Sequence, residues 1–124
     1  MKIDFEKAYD KVRWDFLAEV LKLKKFPDRW TNMVMRTVEN GKVCVNINGE
    51  RSKYFKTFRG LRQGDPLSPL LFNLVADALS VLLDVGIAKG HISGVLNDVL
   101  PGGISHIQYA DDTVIMIDGS KNQF

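Results

Sequence analysis

The chain has 124 residues, 45% of them hydrophobic, and 17 Lys and Arg against 15 Asp and Glu give it a formal charge of +2. That length and apolar content fit one soluble, globular domain with a single core, and the balanced charge excludes a wholly basic nucleic-acid arm or an acidic tail, so any basic surface is local. A single cysteine, Cys44, excludes an internal disulfide and a cysteine zinc cluster, and it suits a reducing compartment with the thiol buried and inert.

Met1-Lys2-Ile3-Asp4 lacks the apolar stretch of a signal peptide. Lys2, Ile3, Asp4 and Phe5 read as the last residues of a strand. Glu6-Lys7-Ala8-Tyr9-Asp10 has turn and helix-start character, with Asp10 as a cap. Trp14, Leu17, Val20 and Leu21 fall on one face of an amphipathic helix expected to end near Phe26. Pro27 and Asp28 suit the start of a second helix, in which Trp30, Met33, Val34, Thr37 and Val38 recur at helical spacing. Asn40-Gly41 is expected to close it through the left-handed conformation that glycine accepts.

Val43, Val45 and Ile47 alternate with Cys44 and Asn46, and residues 54–58 are rich in aromatic and β-branched side chains. With Asn48-Gly49-Glu50 between them, the two runs predict a β-hairpin. Lys42, Arg51, Lys53, Lys56, Arg59 and Arg62 lie in or beside it, among Tyr54, Phe55 and Phe58. Such a mixture can track a nucleic-acid backbone, and lysines guarding an exposed edge have the same composition. Residues 60–69 form a loop by their glycines and prolines, and residues 70–88, apolar almost all round, predict a helix buried at the centre and capped by Ser68 or Asp65. Asp77 and Asp84 interrupt the apolar run at 67–88, so no membrane span is expected. An irregular connector over 86–103 leads to a closing hairpin of residues 104–109 and 113–117.

Tyr109-Ala110-Asp111-Asp112 sits at the bend of that hairpin. Adjacent acids in a regular strand point to opposite faces, so both reach one site only at such a bend. Pairing of the Asp4 strand with this hairpin would bring Asp4, Asp111 and Asp112 together as a hard-oxygen site of the kind Mg²⁺ takes, although surface or capping acids have the same spacing. His91 and His106 share no metal-ligand spacing with a cysteine, which argues against zinc.

Three segments, Asp4-Phe5-Glu6-Lys7-Ala8-Tyr9-Asp10, Gly60-Leu61-Arg62-Gln63-Gly64-Asp65-Pro66-Leu67-Ser68-Pro69 and Tyr109-Ala110-Asp111-Asp112, resemble in order and separation the palm motifs of reverse transcriptases, most closely those of non-LTR (LINE-type) retrotransposons. The resemblance implies an α+β fold, a polymerase palm-like antiparallel sheet with helices packed on one face, incomplete fingers and no thumb, as one partial domain over residues 1–124. It implies RNA-directed DNA polymerase chemistry, in which a primer 3′-hydroxyl attacks a deoxynucleoside triphosphate with two Mg²⁺ ions, or Mn²⁺ in their place. Asp4, Asp111 and Asp112 would be the catalytic metal ligands, Asp112 the weaker or orienting one, with the Phe5 carbonyl also facing the metal. Tyr9 would exclude a 2′-hydroxyl, Gln63 and Gly64 would shape the nucleotide pocket, and Arg62 would meet template or phosphate. Asp65, Pro66, Ser68 and Pro69 would shape the loop.

The implied partners are an RNA template, a DNA primer and deoxynucleoside triphosphates, with no membrane, an intracellular location in nucleus or cytoplasm, and a larger parent polypeptide. An isolated chain without a thumb and triphosphate-gripping fingers is expected to lack what holds substrates. The alternative is a non-catalytic remnant that at most binds nucleic acid through the basic hairpin.

Overall fold

Residues from the two ends of the chain build the principal sheet. The computed structural model describes residues 1–100 and 103–117. Pro101 and Gly102, part of the expected connector, lie outside the described residues. Contacts group the chain into two compact units, one of Met1–Glu6 with Ala76–Phe124 and one of Lys7–Val75.

In the first unit, β1 (Lys2–Asp4), β6 (His106–Tyr109) and β7 (Asp112–Ile115) form an antiparallel sheet in the order β1-β7-β6. The register sets Lys2 opposite Val114, Ile3 opposite Thr113 and Asp4 opposite Asp112, while Gln108 faces Thr113 and Tyr109 faces Asp112 from the other side. Directly paired residues share a face, so the pleat sorts Ile3, Gln108, Thr113 and Ile115 to one side and Lys2, Asp4, Tyr109, Asp112 and Val114 to the other. Burial follows that division. Thr113 is 1% exposed and Ile115 7%, whereas Tyr109 is 84% exposed.

The inner face is closed by the C-terminal part of α4 (Ser68–Ala88). Ser80 Oγ donates to Gln108 Oε1 at 2.7 Å, and Gln108 Nε2 donates to the Ala76 carbonyl and to Thr113 Oγ1, each at 3.3 Å. The N-terminal ammonium of Met1 donates to the Ile115 carbonyl at 2.6 Å, and the Ile115 amide returns a bond to Met1 at 2.7 Å.

The second unit contains the one-turn α1 (Ala8–Lys11), α2 (Trp14–Leu23), α3 (Asp28–Glu39) and the strands β2 (Lys42–Val43), β3 (Asn46–Ile47), β4 (Glu50–Arg51) and β5 (Phe55–Lys56). Leu17 and Leu21 of α2 are fully buried, and Val12, Val20, Val34, Met35, Leu61, Leu71 and Phe72 complete the buried apolar set. A left-handed Lys25 (φ 61°) ends α2 before Phe26, whose ring then stacks on Trp30 at 4.6 Å. The expected cap at Asp10 is not formed: Asp10 lies inside α1, and the positions before α1 and α2 are Lys7 and Arg13, neither making a side-chain cap. Gly41 also departs from expectation. It has no positive φ, and α3 is stopped instead by Asn40, whose Nδ2 donates to the Arg36 carbonyl at 2.8 Å. A Cβ at Gly41 would lie 2.5 Å from Arg62 Nη2, the far end of an exposed side chain that can move aside.

β2 pairs with β5 and β3 with β4, and the turn between β3 and β4 carries positive φ at Asn48 (52°) and Gly49 (91°), the signs of a type I′ hairpin. The expected hairpin is present, with Glu50 already in β4.

α4 departs most from its sequence pattern. Of its residues only Ser68, Leu71 and Phe72 are buried, while Leu70, Val81, Leu82 and Val85 are exposed. A helix apolar all round thus leaves much of its apolar surface exposed. By length and composition alone α4 could cross a membrane, but the bonds to Gln108 tie it to the sheet.

Asp15 stands in the first turn of α2, where a negative charge is favourable. Hydrogen bonding to the Arg13 guanidinium, and then to the Phe16 amide, lowers its pKa from 3.8 to about 2. A carboxyl depressed in the folded state stabilises fully above 3.8 and loses that contribution as pH falls through about 2. Thermal unfolding of wild type and Asp15→Asn should therefore differ near neutral pH, with the gap closing across that acid window.

Candidate functional site

The acids gather on the outer face and at the edge of the three-stranded sheet. Asp4 closes β1 and Asp112 opens β7 on the same rung. Asp111 occupies the two-residue turn with Ala110, whose φ is 52°; a positive φ at the first turn residue and not at the second has the signs of a type II′ turn. Ala110, Asp111 and Asp112 are all exposed, as are Asp4 and Phe5. Two strand ends and one turn thus place three carboxylates within one small region of a single unit.

Lys2 is the electrostatic partner of that region and was not evident in the sequence pattern. Its register partner is Val114, but the side chain reaches diagonally, and Nζ lies 2.9 Å from Asp112 Oδ1. The hydrogen bond to Asp112 raises the lysine pKa above its usual 10.5, and attraction to Asp112, then Asp4 and Asp111, adds to it. The ammonium therefore feels all three acids. Its sequence signal is a lysine two residues before the first acid, on the same pleat face.

The donor set is the right kind for a hard divalent cation, being three carboxylates with the Phe5 carbonyl next to the first. Among the described residues, however, no group of three acidic, histidine or cysteine side chains is drawn close enough to hold a metal. Asp112 is turned to Lys2. The residues fit in chemistry and in placement on the backbone, and their side chains are not converged.

The other expected site residues lie in the second unit. Tyr9 is half-buried, its ring stacked on Phe72 at 4.5 Å and 11° between planes. The Leu61 amide donates to the Tyr9 carbonyl at 2.8 Å, the Gly60 amide to Val12 at 2.8 Å, and Trp14 Nε1 to the Gly60 carbonyl at 2.8 Å. These bonds pin the start of the glycine loop to the α1–α2 segment. Asp65 Oδ1 accepts from the Leu67 amide at 2.8 Å and its carbonyl from the Ser68 amide at 3.2 Å, so this acid shapes the entry to α4. Arg62, Gln63 and Gly64 are exposed at the crest. Gly64 has φ 86°, which glycine tolerates, and nothing lies within 4 Å of where its Cβ would be. The loop's own turn demands glycine there, and the space in front of it is open.

Across its whole length, residues 1–124, the chain matches the family model described as reverse transcriptase (RNA-dependent DNA polymerase), and it belongs to that family. More particularly, it is homologous to Pol proteins of R2-type non-LTR elements. It is 34% identical over 116 residues to the retrovirus-related Pol polyprotein from type-1 retrotransposable element R2 of Nasonia vitripennis, covering 94% of this chain and 10% of that protein. Identity is 39% over 77 residues to the polyprotein from element R2DM of Drosophila melanogaster, covering 62% of the chain and 7% of the relative. An uncharacterized mitochondrial protein of Arabidopsis thaliana, AtMg01250, is 42% identical over 67 residues, 54% of the chain and 55% of that protein. The chain thus spans about a tenth of the Nasonia relative's length. A mixed α/β fold around a central antiparallel sheet accords with this membership.

The support beneath the acids was also missed in the sequence, where Gln108 reads only as a polar residue inside an apolar strand. It bonds Ser80, Ala76 and Thr113 at once. Gln108→Leu keeps the size and strands the Ser80 hydroxyl, so denaturant unfolding should report a loss of about 1–3 kcal/mol.

Proposed function

We propose that this chain is the palm segment of an RNA-directed DNA polymerase of retrotransposon origin, transferring deoxynucleotides to a primer 3′-hydroxyl. The observation that carries the reading is the Asp4–Asp112 rung with Asp111 in the adjoining turn, in a chain that matches the family from end to end. Asp4, Asp111 and the Phe5 carbonyl would hold two Mg²⁺ ions, with Mn²⁺ as a substitute, and Asp112 would orient them. When bound, such ions favour ionisation of the attacking hydroxyl and neutralise the charge gathering on the triphosphate.

The chain's own contribution is positional. Asp112 and Lys2 keep the acid edge ordered between substrates, since the ammonium holds one carboxylate in place until a cation takes over the others. Phe72 fixes the plane of the Tyr9 ring, and a fixed ring can exclude a 2′-hydroxyl where a free one would swing aside. Gln63 would bond the incoming sugar, Gly64 would let it approach the backbone, and Arg62 would meet template or phosphate. RNA template, DNA primer and deoxynucleoside triphosphates are the partners that follow. Gripping primer and triphosphate would fall to other parts of a larger polypeptide, as the match covers only 10% of the Nasonia relative's length. The second reading, a chain that binds nucleic acid without turnover, is favoured by the exposed basic hairpin.

A chimaera in which this chain replaces the matching 116-residue segment of the Nasonia relative tests the two. Primer extension on an RNA template should require Mg²⁺, and Asp111→Asn should slow it at least about 100-fold, the equivalent of about 2.7 kcal/mol of lost charge stabilisation. Extension unchanged by Asp111→Asn would sink the catalytic assignment, and template binding without extension would favour the second reading. In the same assay Tyr9→Ala should lower the preference for deoxynucleotides over ribonucleotides by about tenfold or more.

A further inference from the structure

The chain holds two Asn-Gly pairs, Asn40-Gly41 and Asn48-Gly49, and the fold treats them differently. Such pairs are reactive because glycine, lacking a Cβ, leaves its peptide nitrogen open to the side-chain carbonyl of the residue before it. Asn40 follows α3 directly, with φ −85° and ψ 12°. Its Nδ2 donates to the Arg36 carbonyl at 2.8 Å, its own amide donates to the same carbonyl at 3.4 Å, and Gly41 beyond it is buried. The side chain is thus engaged by the helix end, and the peptide that follows is shielded from water.

Asn48 and Gly49 are the two turn residues between β3 and β4, at φ 52° and 91°. Both are exposed, and nothing lies within 4 Å of where a Gly49 Cβ would be. Among the described residues the Asn48 side chain has no hydrogen-bond partner. The strands that carry the turn are two residues each, and so short a ladder opens locally at little cost. Carboxamide, peptide nitrogen and solvent therefore meet at Asn48, with only the turn itself to loosen first.

We propose that Asn48 is a site of spontaneous deamidation in the folded chain, whereas the fold protects Asn40. The Gly49 nitrogen, its proton lost to hydroxide, attacks Asn48 Cγ. The N–Cγ bond forms, the Cγ–Nδ2 bond breaks, and Nδ2 leaves as ammonia with a proton from water. A second water then opens the cyclic imide at either carbonyl, giving aspartate or isoaspartate. No oxidant, metal or enzyme is required. The aspartyl product suits the turn, since Asp-Gly accepts the same pair of positive φ values. The isoaspartyl product carries the main chain through the former side chain, which adds one atom to a turn closed by the Ile47–Glu50 rung. Either product puts a new negative charge beside Arg51. The inference stands apart from the polymerase reading, since it uses none of the residues assigned to that chemistry.

Incubation of the full chain at mildly alkaline pH, then brief tryptic digestion and mass spectrometry, tests it. Trypsin cuts after Arg36, Lys42 and Arg51, so Asn40 and Asn48 fall on separate peptides, in each of which isoaspartate is counted by enzymatic methylation. In the folded chain Asn48 should convert about tenfold or more faster than Asn40, the factor set by one hydrogen bond and a buried peptide at the latter. In concentrated urea the two should convert at like rates, because only the dipeptide then matters. Asn48→Gln should leave the peptide of residues 43–51 free of isoaspartate, since the longer side chain closes its ring far more slowly, and Asn40→Gln should leave conversion at Asn48 unchanged. The proposal is overturned if Asn40 keeps pace with Asn48 in the folded chain, if the difference persists in urea, or if the folded chain converts neither.

Discussion

Two carboxylates on one rung of an antiparallel ladder repel, and the acid edge exists because the pairing of β1 with β7 tolerates that rung. The surrounding interactions show how. Lys2 reaches across the diagonal to Asp112, Met1 clamps the far end of the pair at Ile115, and the opposite face of the same strand buries Thr113 and Ile115. The register is thereby fixed from behind. A one-residue slip would turn Thr113 outward and carry Asp112 inward, and burying an unpaired carboxylate costs several kcal/mol. The apolar side of the strand thus selects the position of its acidic side.

The same principle separates what the sequence made legible from what it did not. α2 and α3 were readable because Leu17, Val20 and Leu21, and then Trp30, Val34 and Val38, recur at helical spacing, but α3 buries Thr31, Val34 and Met35 and leaves the expected Met33 and Thr37 exposed. The Asn48–Gly49 turn was readable because few residue pairs accept two positive φ values. The backbone placement of Asp4 opposite Asp112, with Asp111 in the adjoining turn, was legible from strand ends and the hairpin bend, whereas the side chains are not converged. Lys2, in contrast, acts through the length of its side chain across a register that a sequence does not display. Gly41 illustrates a related ambiguity, since glycine beside a helix end signals a left-handed stop, and here the backbone at Gly41 has no positive φ.

α4 shows where composition misleads. An apolar surface on every side reads as full burial, yet burial depends on how many partners reach the helix, and of its residues only Ser68, Leu71 and Phe72 are buried. Its polar residues carry more of the architecture than its leucines suggest: Ser80 and the Ala76 carbonyl are joined through Gln108 to Thr113, the residue between Asp112 and Val114. A hydrogen-bonded chain thus runs from the helix to the strand that bears the acid.

The rung that joins Asp4 to Asp112 ties the first residues of the chain to its last described strand, so the acid edge is a long-range contact whose loop-closure entropy must be met before the pairing is rewarded.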